Sequence, residues 1–284
     1  MKILATISLV WLLGAFVPVW GHGDLHGQIE ETTRQMEKDR GNGGLFLKRG
    51  ELHRAHGEWD AATADYEQAM ALDPKLTVVD LARGKMFLEA NWPLSAKVAL
   101  DRFLTRQTNH VDALSVRARV LSRLGQRLAA VRDFNQAIAF SKEPNVELYF
   151  ERAQVLTQEG GAYLEEALKG LDEGMRKLGP LVTLQLYAID TEVKLNRFDP
   201  ALKRLEEIAA KSPRKETWLA RRGEILQQAG RGDEARETFK AALKAISELP
   251  AARRNVPAIG ELEKRIRAAL EAPAPAGKSG VKKD

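Results

Sequence analysis

The sequence predicts an all-α solenoid built from stacked helix pairs, and three recurrences carry that prediction. A small residue returns about every 34 places, at Gly50, Gly84, Ala118 and Ala153, lapses to Ile189 and resumes at Gly223. Seven residues after each comes a turn former: Gly57, Asn91, Gly125, Gly160, Asn196 and Gly230. An alanine follows in the segment after every turn, at Ala62, Ala96, Ala130, Ala167, Ala201 and Ala235. A unit of this length cannot bury its own apolar face, so neighbours must stack to make a continuous core.

Before the repeats, Met1 and Lys2 lead into an uncharged apolar run from Ile3 to Trp20, followed by Gly21. This pattern reads as a secretory signal peptide over residues 1–21, cleaved after Gly21. The alternative is an uncleaved anchor in the inner membrane formed by residues 3–20, and membrane contact is expected only in that case. The sequence contains no cysteine, which excludes disulfides and lipid attachment at a cysteine. Helix packing alone must hold the chain, which is expected to be exported to a periplasm.

Residues 22–42 read as an N-terminal capping helix. Leu25, Ile29, Thr32 and Met36 fall near helical spacing, Asp24 is placed to cap the start, and Gly41 to Gly44 end it. Six repeats fill residues 43–250, starting near 43, 77, 111, 146, 182 and 216. Each pairs a first helix, running to the turn residue, with a second helix beyond it. In the first repeat Pro74 stops the second helix, and Gly50 and Ala62 let the two helices approach. The fourth repeat carries an insertion around Gly161 to Tyr163. The fifth departs most, with Ile189 at the small position and Glu192 at a usually aromatic one, although Asp199 as cap and Pro200 in the first turn signal its second helix. Residues 251–271 read as a C-terminal capping helix with Ile259, Leu262, Ile266 and Leu270 on one face. Residues 272–284 are rich in Pro, Ala, Gly and Lys and read as a disordered tail.

These residues resemble the tetratricopeptide repeat family. Counting from Gly43, its usual residues match Gly50, Gly57, Ala62, Tyr66, Ala69 and Pro74; the third repeat matches at Gly125, Ala130, Phe134 and Ala137, and the sixth at Gly223, Gly230, Ala235, Phe239 and Ala242. The resemblance implies a right-handed superhelix that holds a protein or peptide segment against its first helices. Mapped onto this chain, the implied groove positions include Leu47, Leu81, Phe150 and Leu186, with Glu51, Lys85, Arg119, Gln154 and Asp190 one turn on and Arg54, Glu89, Arg123 and Thr157 beyond. The alternative for the four apolar members is burial between repeats. A clamp of Lys, Asn and Arg for a C-terminal carboxylate is not matched here, since Glu51 and Asp112 stand where it would need cations.

Charge and motifs exclude other classes. The net charge of +5 arises from 44 basic and 39 acidic residues interspersed along the chain, which argues against nucleic acid as a partner. No nucleophile, metal-hydrolase or phosphate-loop signature occurs, so the chain is expected to be neither an enzyme nor a cofactor binder. Two further readings stay open. One is an assembly factor for envelope machinery that uses its outer face or its end caps. The other is metal binding at a mature N-terminus through His22 and His26, with His53 and His56 three apart on a helix.

Overall fold

The computed structural model describes residues 22–271, with side chains from Leu25 onward. The expected signal segment and tail lie outside the described residues, as does the side chain of His22. Fifteen α-helices and one 3-10 turn make up the described structure, which contains no strand. No described helix is long and apolar enough to cross a membrane. The chain divides into two compact units, one up to Ala99 and one from Leu100.

The first unit holds α1 (His22–Lys38), α2 (Gly43–His56), α3 (Trp59–Leu72), α4 (Val78–Glu89) and the start of α5 (Pro93–Arg106). Helix α1 begins two residues before Asp24, so Asp24 lies in the first turn and does not cap it. Thr32 and Met36 are buried along its inward stripe. Asn42 caps α2 by accepting from the Gly44 amide at 3.0 Å, so Gly43 and Gly44 open the next helix. Gly57 closes α2 at φ +81°, a left-handed turn in which the Gly57 and Glu58 amides donate to the Arg54 and His53 carbonyls. The core joins Ala62, Tyr66 and Ala69 of α3 to Val79, Ala82 and Met86 of α4. The small residue at Gly50 has a measurable reason: a Cβ there would stand 2.7 Å from the Tyr66 ring.

The second unit holds the rest of α5, then α6 (Val111–Arg123), α7 (Arg127–Phe140), α8 (Val146–Glu159), the 3-10 turn Gly161–Tyr163, α9 (Leu164–Leu178) and α10 (Val182–Lys194). It continues through α11 (Phe198–Ala209), α12 (Lys215–Gln228), α13 (Gly232–Ser247), the short α14 (Ala251–Arg254) and α15 (Pro257–Glu271). The single C-terminal helix expected from sequence is thus broken in two, and only α15 places Leu262 and Ile266 in the core. Asn145 caps α8, its side-chain oxygen accepting from the Leu148 amide, and His110 Nδ1 accepts from Ala113 to cap α6. Asp199 was expected to cap α11, but that helix begins at Phe198, and Asp199 instead accepts from Arg231 at 2.9 Å.

The fifth repeat solves its two irregular positions differently. Ile189 is wholly buried, so the small-residue slot is filled by an aliphatic side chain. Glu192 occupies the position held in other repeats by the buried Leu121, Leu156 and Leu226. It is 3% exposed and accepts from Arg204 Nε at 2.8 Å, while Arg204 Nη2 donates to Asp172 at 2.8 Å.

Candidate functional site

The positions implied by the family groove can be followed helix by helix. In the first unit, Leu47 is half-buried against the core and Leu81 is 5% exposed. Leu81 therefore belongs to the interior and is withdrawn as a surface anchor, because the α4 position that faces outward by register is here covered by its neighbours. Glu51 accepts from Arg54 at 3.0 Å and from the Tyr66 hydroxyl at 2.5 Å. Burial, reinforced by the adjacent Glu51 charge, raises the Tyr66 phenol well above its ordinary value, so Tyr66 stays a donor. Arg54 reaches on to Glu89 of α4 at 2.6 Å. Lys85 is half-buried on the same helix.

In the second unit the same pattern recurs. Arg119 of α6 donates from Nε to both oxygens of Glu151 on α8, at 3.1 and 2.8 Å. Asp190 of α10 accepts from Arg221 of α12, which also donates to Glu224 at 3.2 Å. Thus Glu51, Arg119 and Asp190 all work as inter-helix or intra-helix struts. Such partly exposed pairs contribute about 0.5 kcal/mol each. Their clearer effect is to fix the rotamers of the long side chains on this face. Leu186 packs against the core, and Arg123 is exposed.

Between the struts lies an aromatic patch. Phe150 of α8 and Tyr187 of α10 meet edge to face with centroids 5.2 Å apart, and the Tyr187 and Thr157 hydroxyls are 2.6 Å apart. Gln154, half-buried, lies one turn beyond Phe150. Tyr187 was missed in the sequence, which selected its neighbour Leu186; an aromatic one place out of register was the available signal. The helices turn Tyr187 toward the surface patch and Leu186 toward the core.

The described histidines are engaged with other side chains. Both His53 and His56 set Nδ1 on Glu58, at 2.5 and 2.9 Å, and the His26 ring contacts that of His56 with centroids 4.5 Å apart. Among the described residues no group of three or more metal-ligating side chains is placed to hold an ion. His56 is only 17% exposed because Glu58 and His26 cover it. The hydrogen bonds from His53 and His56 hold the Glu58 carboxyl below its ordinary value of 4.5. Stability from a depressed carboxylate is present above that ordinary value and is lost as pH falls through the folded-state value. The melting-temperature difference between the native chain and Glu58→Gln should therefore vanish on acidification below pH 4.5. A difference that persists unchanged would show the contacts to be charge-independent.

Comparisons with known proteins agree with this architecture. A tetratricopeptide repeat model matches residues 188–250, spanning α11 to α13. No curated protein matches the chain in sequence. Among solved structures, the C-terminal part of a TPR repeat-containing protein from Cytophaga hutchinsonii superimposes with a TM-score of 0.69, at 13% identity over 88% of this chain and 95% of that one. YrrB, described as a TPR protein with an unusual peptide-binding site, gives 0.54 at 20% identity over 65% of this chain and 94% of its own. The MamA protein gives 0.55 at 17% identity, covering 61% and 93%. At such identities these likenesses speak for the fold alone. The repeat model thus places a tetratricopeptide repeat at residues 188–250, and the described helix pairs share the fold of these repeat structures.

Proposed function

We propose that this protein is an exported, non-catalytic scaffold that holds a protein or peptide segment against its first helices. The observation that carries the reading is the Phe150–Tyr187 pair, two partly exposed aromatic rings on consecutive first helices beside the Gln154 amide. Aromatic anchors held by packing lose little entropy on binding, and flanking polar groups give them direction. The Arg119–Glu151 strut shares α8 with this pair, so α6 and α8 present a surface that is ordered in advance. Leu47, Glu51 and Lys85 would form the corresponding strip of the first unit. In this reading residues 1–21 direct export, with retention as a membrane anchor as the alternative fate.

Replacing Arg119, Arg123 and Phe150 together with Ala is expected to weaken capture of an envelope partner at least about tenfold, since anchors of this kind carry most of an interface's energy. Helix content by circular dichroism should not change, because all three side chains lie outside the core. An unchanged partner list after crosslinking and mass spectrometry would reject this surface. The intact mass of the exported protein reports whether cleavage falls after Gly21.

A further inference from the structure

A second surface of the C-terminal unit differs from other repeats in two places at once. Between α11 and α12 lies a cavity of about 240 Å³ walled by Leu202, Leu205 and Ala209 on one side and Trp218 and Leu219 on the other. None of these residues belongs to the first-helix patch around Phe150. In the second to fifth repeats the position of Trp218 is filled by Val79, Ala113, Leu148 and Leu184, each at most 4% exposed. Trp218 is only partly buried, and its indole N–H is shielded from water with no acceptor. An unsatisfied buried donor costs about 1–3 kcal/mol. An aliphatic side chain avoids that cost in four other repeats, so packing alone does not account for the indole.

The rim differs from the corresponding place in the first and third repeats. Arg222 occupies the position of Arg49 and Arg117, whose guanidiniums each form a two-bond ion pair with the carboxylate sixteen residues on, Asp65 and Asp133. In the sixth repeat that residue is Thr238, whose hydroxyl donates to the Glu234 carbonyl instead. Arg222 thus lacks that two-bond strut, keeps only an electrostatic interaction with Glu234, and lines the cavity together with Lys215 and the one lining carboxylate, Glu206. Two cations and one anion leave the mouth of an apolar pocket positive.

We propose that this pocket is a docking site for a partner segment that presents one aliphatic or aromatic side chain beside a carboxylate. The cavity lies below the roughly 300–1,000 Å³ of a small-molecule site, and suits a single side chain. Apolar contact with the Trp218 ring and Leu205 supplies the anchor, and Lys215 and Arg222 select the adjacent negative charge. The chain's own C-terminal residues are disfavoured as occupant, since Lys278, Lys282 and Lys283 would bring cations to a positive rim.

The test uses the whole chain labelled with nitrogen-15 and two probes, N-acetyl-leucine and N-acetyl-leucinamide, which differ only in the carboxylate. The reporter is the Trp218 indole resonance, identified as the one lost in Trp218→Phe. N-acetyl-leucine should shift it saturably and bind about tenfold more tightly than the amide, as a charge-assisted contact requires. In Arg222→Gln combined with Lys215→Gln the two probes should fall within about twofold of each other. Ala209→Leu, which fills the cavity, should remove both responses; if that variant fails to fold, the rim variant alone decides. Equal binding of the two probes, no saturable shift, or the same shift from acetate alone overturns the proposal. So does a resonance that moves on dilution without probe, which would mean that a second copy of the chain covers the pocket.

Discussion

Replacing Arg204 with Met is expected to destabilise the protein by about 3 kcal/mol, since it strands a buried carboxylate. Glu192 is 3% exposed; Arg204 supplies the one bond to its Oε1, and its Oε2 already lacks a partner. Asp172, the other carboxylate on Arg204, is 43% exposed and can return to water at little cost. Adding Glu192→Leu to the variant should therefore recover most of the loss, because Leu121, Leu156 and Leu226 show that the site accepts leucine. Exchange of a buried pair for apolar residues is commonly neutral or stabilising. Burial raises the Glu192 carboxyl, against the lowering effect of Arg204. The sign follows: stability is greatest below the ordinary carboxylate value of 4.5 and is lost as pH rises through the raised folded-state value. The advantage of the double variant should thus grow with pH. Urea unfolding of both variants decides the matter; a double variant no more stable than Arg204→Met would show that the buried pair is not the cause.

The second large effect concerns the sign of a glycine substitution. In an open helix interior, Gly→Ala stabilises by about 0.5–1 kcal/mol through reduced backbone entropy. Gly260 in α15 meets that condition, since nothing lies within 4 Å of a Cβ built there. At Gly223 the same substitution places a Cβ 2.5 Å from Phe239 Cε1, and Phe239 is 2% exposed with nowhere to turn. Overpacking of this kind costs about 1–3 kcal/mol, so Gly223→Ala should destabilise while Gly260→Ala stabilises. Thermal unfolding of the two variants provides the comparison. Relief of the Gly223→Ala defect by Phe239→Leu would place the cost on the ring, and equal signs at the two glycines would refute the close-approach account.

Much of the fold can be read in the one-dimensional pattern. Gly50 and Gly223 recur because a ring from the second helix crosses each, and that requirement is local to a helix pair. The left-handed turns at Gly57, Asn91, Gly125, Asn196 and Gly230 are equally local, being fixed by a few consecutive dihedrals. Where a feature depends on a neighbouring repeat, the pattern failed. The ion pair of Arg119 with Glu151 joins the third repeat to the fourth, and no recurrence in the period marks it. The Phe150–Tyr187 contact escaped notice for the same reason, since it joins residues of different repeats.

The sequence by itself determined the all-helical class, the length of the repeating unit and the residues that let its two helices touch. Those follow from periodicity and from the volume of single side chains. Only the tertiary structure decided which surface groups remain for a partner. Arg119, Glu151, Asp190 and Arg221 look equally available as letters, but stacking brings members 31 and 32 residues apart into ion pairs. Arg222 lacks the strut that Arg49 and Arg117 make sixteen residues on, because the residue there is Thr238. Pairing depends on distances of a few ångströms across helices, and a linear period does not encode them.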